Sequence, residues 1–380
     1  MTGLISGRGL LSGSGLLTGR GMLNGRGMLD LGRQCWAYNF DGVDDRGVLT
    51  NRAINIEGDN SLEFFSPASL VTFQCIVSQC NIAAVASREF NLVAGSSGLI
   101  VGFGGVETVL ISQAQGFKVS TRYGLTLIGT EAKIYEGGLG GTLIRTTTFT
   151  RGTAREPTAP TLIGCRGNGA GSYANFFSGL QYDIKINGTL WEMGDRNQSI
   201  QLPTPSGLGA ELITQSVLEN PASKGSQWTY LGGGRWSYVG DGSINALRFL
   251  ADSASPADGF IEFEVESISG GTMRCTGGFN PANSFGDKTF STTGVKRCYY
   301  VGFTAANQFS FARNGSSDMV NCIIKNISFK PLGTCNPMQL INTTSDRWQA
   351  VPCRINTEGV QVQGGAFITT SDNKKVEVLK

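Results

Sequence analysis

Residues 4–27 contain four consecutive copies of a six-residue unit, and this repeat limits the conformations open to the chain more than any other feature. The copies read LISGRG, LLSGSG, LLTGRG and MLNGRG, and a fifth begins at Met28 and then decays. In an α-helix the paired apolar residues would drift around the axis, and each glycine would cost about 1 kcal/mol relative to alanine. The repeat therefore predicts an extended conformation, either a β-strand or a polyproline-like helix.

The large apolar side chains of this repeat cannot be buried by the repeat itself. Because six is an even number, an extended strand would carry leucine, isoleucine or methionine on both faces. We therefore expect an arm at residues 1–33 that docks on another protein or winds together with copies of itself. The residues assigned to attachment to another protein or to oligomerisation are Leu4, Leu10, Leu11, Leu16, Leu17, Met22, Leu23, Arg8, Arg20 and Arg26.

Two other interpretations of the repeat are less well supported. A flexible glycine-rich linker has few apolar residues, whereas every unit here has two large ones. A signal peptide or membrane span needs a long apolar run, and here the apolar residues come in pairs that polar residues and glycine interrupt. No membrane insertion is expected.

The composition indicates an all-β protein with more than one domain. Glycine accounts for 54 of the 380 residues, and short β-branched and aromatic runs lie between the glycines. This share of glycine is about twice the usual one and is typical of a chain with many turns. The length is sufficient for two or three domains. A net charge of +2 is too balanced for a dedicated nucleic-acid binder, so no nucleic-acid partner is expected.

The chain has no histidine, and this restricts the catalytic mechanisms open to it. Ser-His-Asp and Cys-His nucleophiles, histidine-ligated metals and the usual general base are all excluded. Any catalysis would use carboxylates, lysine, tyrosine or cysteine, and we expect no enzyme. The nine cysteines, an odd number without Cys-x-x-Cys pairs, predict buried thiols rather than a disulfide framework or a zinc site.

Two sequence motifs mark the ends of a first module at residues 34–206. The opening motif, residues 38–45, has two aromatic residues followed by a polar turn. The closing run, residues 176–191, alternates like a strand with one buried face and ends with a hairpin turn at Asn187-Gly188. The side chains expected in the core are Leu180, Tyr182, Ile184 and Ile186, and those expected in solvent are Gln181, Asp183, Lys185 and Asn187.

These two ends resemble the first and last strands of the laminin-G/concanavalin-A-like jelly-roll domains that are widespread in bacteriophage virion and tail proteins. The family patterns are F-x-G-V-D-D at the opening and F-S-G-x-I-x-D-I-x-I-N-G-x-x-W at the close, and a P-x-P-x-G stretch like residues 202–207 ends the module. Residues 53–160 match in strand-and-turn character alone. The resemblance implies a jelly-roll domain and a place in a phage particle.

A second module at residues 207–332 resembles the carbohydrate-binding-module-type β-sandwich common in phage structural proteins. The family frame is G-x-E-L-V, a tryptophan, G-G-x-W, a central strand and a terminal I-D-N-V-S-V-K; here these elements lie at 209–213, 228, 233–236, 260–265 and 324–330. Lys325 stands where the family often has aspartate, which weakens any claim for calcium at that position. Residues 333–380 are too few for a core of their own, and we expect them to add strands to a neighbour. The predicted fold is therefore all-β, with two β-sandwich (jelly-roll) domains after an extended arm.

Four aromatic residues of the second module are candidates for carbohydrate binding. Trp228, Tyr230, Trp236 and Tyr238 could form a platform on which sugar rings stack. The alternative is a place in the sandwich core, which we favour for the two tryptophans.

Two groups of acidic residues are candidates for other chemistry. Asp41, Asp44 and Asp45 could hold Ca²⁺ through oxygen ligands, but three carboxylates do not complete a shell of six to eight oxygens, and a solvated turn is favoured. No other cofactor is expected. The alternating residues Glu262, Glu264 and Glu266 have the spacing of acids in jelly-roll glycosidases. The E-x-D-x-x-E signature is not matched, so an exposed strand face is favoured.

The sequence and the two resemblances together predict a bacteriophage virion structural protein. The first hypothesis is a tail fibre or receptor-binding protein, a homotrimer that attaches the particle to host cell-surface glycan and contacts other virion proteins. The second is a capsid decoration or head-fibre protein that stabilises the shell, and the third is a glycan depolymerase. The expected location is the virion surface, after assembly in the host cytoplasm.

Overall fold

The fold is built almost entirely from antiparallel strands, which confirms the predicted all-β class. In this computed structural model the described residues are 35–80, 88–156, 159–168, 172–181, 183–193, 198–241, 246–250, 258–277, 284–301, 308–315, 319–342, 347–351, 353–355, 361–363, 366–369 and 375–378. The helices within these ranges are a 3-10 turn, Gln113–Gln115, and one short helix, α1 (Gln215–Glu219). No helix of the described part is long and apolar enough to cross a bilayer.

The strands are short and follow one another closely along the chain, as the glycine-punctuated sequence predicts. The first eighteen are β1 (Cys35–Asp41), β2 (Arg46–Leu49), β3 (Asn60–Phe65), β4 (Gln74–Gln79), β5 (Phe90–Gly95), β6 (Gly98–Phe103), β7 (Val106–Ile111), β8 (Arg122–Ile128), β9 (Glu131–Glu136), β10 (Thr142–Thr148), β11 (Leu162–Ile163), β12 (Arg166–Gly167), β13 (Tyr173–Ala174), β14 (Ser178–Gln181), β15 (Asp183–Ile186), β16 (Thr189–Glu192), β17 (Ile200–Gln201) and β18 (Pro203–Thr204). The others are β19 (Trp228–Gly232), β20 (Arg235–Val239), β21 (Leu247–Leu250), β22 (Gly259–Ser269), β23 (Met273–Gly277), β24 (Ser284–Gly286), β25 (Thr289–Phe290), β26 (Gly294–Tyr300), β27 (Gln308–Arg313), β28 (Asn321–Pro331), β29 (Met338–Ile341), β30 (Trp348–Val351), β31 (Cys353–Ile355), β32 (Gln361–Gln363), β33 (Ala366–Thr369) and β34 (Lys375–Val378).

The chain divides into two compact units. The first unit comprises Met1–Arg46, Ala53–Asn197 and Asn342–Lys380, and the second comprises Gly47–Arg52 and Gln198–Ile341. This division places residues 333–341 in the second unit and the rest of the C-terminal segment in the first. The sequence predicts a single C-terminal segment at 333–380. The predicted boundaries at 33, 206 and 332 stay a prediction.

The first unit contains two main sheets. In one, the strands are hydrogen-bonded in the order β10-β9-β8-β3-β15-β16, and in the other the order is β11-β4-β5-β6-β7. In β3 and β9 of the first sheet, buried residues alternate with less buried ones because residues of one parity share a face, whereas every residue of β4, β5 and β6 in the second sheet is buried. The core side chains include Leu62, Phe64, Tyr123, Leu125, Ile134 and Ile184 from the first sheet and Phe90, Leu92, Val101 and Phe103 from the second.

The closing run of the first module divides between two sheets. β14 pairs with β1, whereas β15 pairs with β3 and β16. The predicted solvent-facing alternation is wrong for Gln181 and Asp183, which are 1% and 3% exposed. The Gln181 side chain can be buried because its polar atoms are hydrogen-bonded. Its Nε2 donates to the Phe65 carbonyl (3.1 Å) and its Oε1 accepts from the Phe65 N–H (3.4 Å). Tyr182 lies outside the described residues.

The second unit is a sandwich of a six-stranded and a four-stranded sheet. The strand orders are β19-β20-β28-β22-β26-β24 and β21-β27-β23-β25. Its core is rich in aromatic rings, and the largest buried members are Trp228, Trp236, Tyr238, Phe249, Phe263, Tyr300, Phe309, Phe311 and Phe329. A smaller cluster of Ile200, Phe260, Tyr299, Leu332 and Cys335 holds the segments that precede and follow this sandwich.

Candidate functional site

The four aromatic candidates lie on the β19–β20 hairpin, which is placed at the edge of the six-stranded sheet. The Trp228 and Tyr238 rings are 4.9 Å apart and the Tyr230 and Trp236 rings 5.0 Å apart. Trp228, Trp236 and Tyr238 are between 0% and 2% exposed, so none of them offers a ring face to a sugar. These three residues belong to the core, so the predicted sugar-stacking platform is wrong for them. For Trp228 and Trp236 the sequence already favours a place in the core.

Tyr230 is half-buried, and its hydroxyl is engaged in holding helix α1. The hydroxyl accepts from Gln215 Nε2 (3.2 Å) and from the Gly234 N–H (3.0 Å). The Trp236 Nε1–H donates to the Leu218 carbonyl (3.0 Å) from the same hairpin. These contacts give the hairpin aromatics a positioning role beside the helix.

The acidic turn of the first module is bonded to groups of the protein. Oxygen atoms of Asp41, Asp44 and Asp45 lie within 4.8 Å of one another. Asp45 accepts from the Tyr38 hydroxyl (3.1 Å) and from the Asp41 N–H (3.0 Å). Asp41 accepts from the Val43 N–H (2.8 Å) and from Nη2 of Arg347 (2.8 Å).

The electrostatics of this turn favour a structural role over metal binding. Burial alone would raise the pKa of Asp41, but the N–H donors and Arg347 outweigh it and hold the pKa below its usual value. Burial raises the pKa of Asp45 above its usual value. A guanidinium beside two of the three carboxylates opposes a second cation, so the residues do not fit a calcium ion.

The contacts of the acidic turn bind the C-terminal segment to the first strand. β30 pairs with β1 in the register Tyr38↔Trp348, and the two rings meet edge to face at 5.2 Å. Arg347, one residue earlier, supplies the ion pair to Asp41. The turn therefore fastens a segment from the far end of the chain.

The row of three glutamates lies on β22, on the face opposite the aromatic core. Each carboxylate is paired with a cation of the same sheet: Glu262 with Arg297 of β26 (2.7 Å), Glu264 with Lys325 of β28 (3.4 Å), and Glu266 with Arg235 of β20, the strand beyond β28 (2.6 Å). The hydrogen bond from Arg235 lowers the pKa of Glu266. Because all three carboxylates are paired with cations, the row is better described as a ladder of ion pairs.

Lys325 lies between two carboxylates of the glutamate row. It stands opposite Glu264 in the β22–β28 register and lies 3.4 Å from both Glu264 and Glu266. A cation at this position, where the resembling family often has aspartate, offsets the repulsion between the two glutamates.

The residues of the N-terminal arm lie outside the described residues. The assignments for Leu4, Leu10, Leu11, Leu16, Leu17, Met22, Leu23, Arg8, Arg20 and Arg26 stay predictions.

One aromatic residue that sequence analysis did not single out is exposed. Phe73 is 45% exposed, and no other aromatic residue whose burial the structure describes is in that class of exposure. It lies immediately before β4, next to Gly95 of β5. The sequence offers no periodic signal for it, because a single aromatic before a strand is as compatible with the core as with solvent.

Comparison with known proteins identifies structural neighbours and no family. No protein-family model matches the chain, and no curated protein sequence matches it. Domains LG4-5 of the mouse laminin α1 chain align over 83% of this chain and 90% of that one, with 11% identity and a TM-score of 0.30. A crystal structure described as a receptor-binding domain aligns over 84% and 92%, with 9% identity and a TM-score of 0.26.

A leech intramolecular trans-sialidase is also among the neighbours. It aligns over 57% of this chain and 34% of that one, with 13% identity and a TM-score of 0.29, so the chain spans about a third of that enzyme's length. The prediction that this chain is not an enzyme is corrected by this neighbour. A fold does not by itself determine function, so the fold of this chain does not exclude catalysis.

Proposed function

We propose that this chain is a bacteriophage virion structural protein that attaches the particle to host cell-surface glycan, in the manner of a tail fibre or receptor-binding protein. The phage assignment rests on the resemblance of the two motifs at the ends of the first module. In support, these motifs form neighbouring strands: β1 pairs with β14 in the register Tyr38↔Gln181 and Asp41↔Ser178. The opening and closing motifs thus form one structural element, as expected for a single domain.

The observation that carries the proposal is the contrast between the arm and the two units. Most large apolar side chains of the described strands are buried within the two units, and Phe64, Phe90 and Trp236 are 0% exposed. The repeat has two large apolar residues in each copy and glycines that prevent a helix. Its leucines therefore need a partner, which we propose to be sister copies in a homotrimer or another virion protein.

Assembly through the arm would make weak glycan binding effective. Linking several sites raises the apparent affinity by about 10² to 10⁴ without any new contact at each site. A trimer that presents three pairs of sandwiches therefore needs only weak single-site binding.

The test compares full-length protein with a variant in which Leu10, Leu11, Leu16 and Leu17 are replaced by serine. Binding is measured to cells of the phage host and to the same surface glycan as a soluble oligosaccharide. We expect equal affinity for the soluble oligosaccharide and about 10² to 10⁴ weaker binding of the variant to cells. Equal binding of both proteins to cells would contradict the role of the arm. If neither protein binds glycan and particles that carry the variant are less stable, the result would instead support a capsid decoration protein.

A further inference from the structure

We propose that Phe73, together with Gly95 and Gln113, forms the stacking platform of a binding site for a neutral sugar on the first unit. This inference rests on the proposed function, because it names the residues and the sugar class of the attachment site. It is independent of the four aromatic residues of the second unit.

Strand register places Phe73 on the face of the second sheet that carries Cys75, Val93 and Ile100. Cys75 pairs with Val93, and these two residues form a small cluster with Ile100. Leu92 and Ala94, of the opposite parity, lie in the core. Phe73 has the parity of Cys75 and lies on the same face, but whereas Cys75, Val93 and Ile100 are 0–7% exposed, Phe73 is 45% exposed.

The ring rests on the backbone of Gly95. A Cβ added at Gly95 would lie 2.7 Å from Cδ1 and 3.1 Å from Cε1 of Phe73, so the ring occupies space that only glycine leaves open. One edge of the ring is thus supported by backbone while 45% of the side chain is exposed. An aromatic ring with support on one side and solvent on the other is the arrangement that stacks on the apolar face of a sugar.

The segment before the ring is held in place by Gln74. This side chain is 5% exposed, its Nε2 donates to the Ser69 carbonyl (3.1 Å), and its Oε1 accepts from the Ser178 N–H (2.7 Å). The Val71 N–H donates to Ser69 Oγ (3.3 Å). A platform fixed before binding loses less entropy when a ligand binds.

Gln113 supplies a polar rim next to Gly95. Its Nε2 donates to the carbonyls of Gly95 (3.3 Å) and Ser96 (3.4 Å), which fixes the amide beside the platform. The Gln113 side chain is exposed, and its Oε1 has no partner among the described residues. This acceptor can bind a sugar hydroxyl, and the Ser96 and Ser97 hydroxyls of the same turn add further groups.

The sequence around the platform contains no charge. Residues 69–74, 95–98 and 111–116 read SLVTFQ, GSSG and ISQAQG, without aspartate, glutamate, lysine or arginine. An acidic sugar or a nucleic acid needs a cation, and a membrane surface needs cations or a larger apolar face. A neutral sugar needs an aromatic face and hydroxyl partners, and these are the groups that the three segments themselves supply.

The test uses full-length protein with neutral oligosaccharides of glucose, galactose and mannose, and with acidic oligosaccharides as a comparison. Affinity is measured by calorimetry, and saturation-transfer NMR reports whether aromatic protons contact the sugar. We expect Phe73→Ala to weaken neutral-sugar binding about tenfold or more, and Phe73→Trp to retain it. Gly95→Ala should also weaken binding, because its methyl group displaces the ring. The control is Ile128→Ala, an exposed apolar residue of the other sheet, at 52% exposure, which should leave binding unchanged.

Each other outcome overturns the inference. If wild-type protein binds a neutral sugar and Phe73→Ala binds it equally, the site lies elsewhere and the proposed function stands. If wild-type protein binds acidic sugars alone, the sugar class is wrong. If it binds none of the sugars and no host cells, the inference and the proposed function fail together. If Phe73→Ala instead abolishes binding to phosphatidylcholine vesicles, the platform is a lipid contact.

Discussion

Replacing Arg122 by methionine should destabilise the first unit strongly, because this guanidinium neutralises two poorly exposed carboxylates. Its Nη1 donates to both oxygens of Asp183 (3.1 and 3.0 Å) and its Nη2 donates to Glu63 Oε2 (2.8 Å). The side chains of Arg122, Glu63 and Asp183 are 15%, 12% and 4% exposed. Burial alone would lower the pKa of Arg122, but the two carboxylates outweigh it and raise the pKa.

The expected loss follows from the burial of these carboxylates. Removing one partner of a buried ion pair costs about 3–5 kcal/mol. For a unit of this size 1 kcal/mol corresponds to about 2–4 °C, so the melting temperature should fall by about 6–20 °C. Lys185 lies 3.6 Å from Glu63 and compensates that carboxylate in part, which favours the lower end of the range.

The assay is urea unfolding together with calorimetry of wild type and three variants. Arg155→Met is the matched control: Arg155 pairs with Glu57 at 2.9 Å, but the two side chains are 37% and 80% exposed, and the expected loss is under about 1 kcal/mol. Adding Glu63→Gln and Asp183→Asn to Arg122→Met should recover part of the stability. A loss from Arg122→Met no larger than that from Arg155→Met would refute the reasoning.

Three further predictions concern the thiols, the core and the acidic turn. Burial raises the pKa of Cys165, Cys322 and Cys335 to about 12, so these thiols should resist a thiol reagent at pH 8 and react after unfolding; labelling of the native protein, mapped by mass spectrometry, would contradict this. Because thiols of the unfolded chain ionise above about pH 8.5, their contribution to stability is complete below that pH and falls as the pH rises toward 12. Trp236→Ala should lower the free energy of unfolding in urea by about 3–5 kcal/mol without changing the affinity for sugar. A variant that stays stable but loses affinity would support the sugar-stacking role of the hairpin aromatics. Arg347→Ala should cost about 1 kcal/mol, and added calcium should leave the melting temperature of wild type unchanged; a rise with calcium would show that the acidic turn binds the ion.

The all-β class could be predicted because its signals are local. Glycine between short β-branched and aromatic runs marks turns between strands wherever it occurs. The burial of Tyr238 could also have been predicted, because Trp236 and Tyr238 are two residues apart and share one face of β20. With Trp236 favoured for the core, the same argument places Tyr238 there.

The interactions of the acidic residues could not be predicted because they depend on distant parts of the chain. Arg347 is 306 residues from Asp41 in the sequence, and no local pattern predicts that the two side chains pair. Asp183 follows a solvent-facing alternation, yet it is buried because Arg122 of another strand is placed beside it. The Phe73 ring lies over Gly95 of the neighbouring strand, in space that a side chain at residue 95 would fill, and no local pattern predicts that contact.

The central claim, that the repeat assembles several copies of the chain, is tested most directly by the molar mass in solution. Light scattering at matched concentration compares full-length protein with a 34–380 truncation, which begins just before β1. We predict a trimer for the full-length protein and a monomer for the truncation, because we propose that sister copies bury the leucines of residues 1–33. Monomers in both samples would contradict self-assembly and would leave the arm to dock on another virion protein.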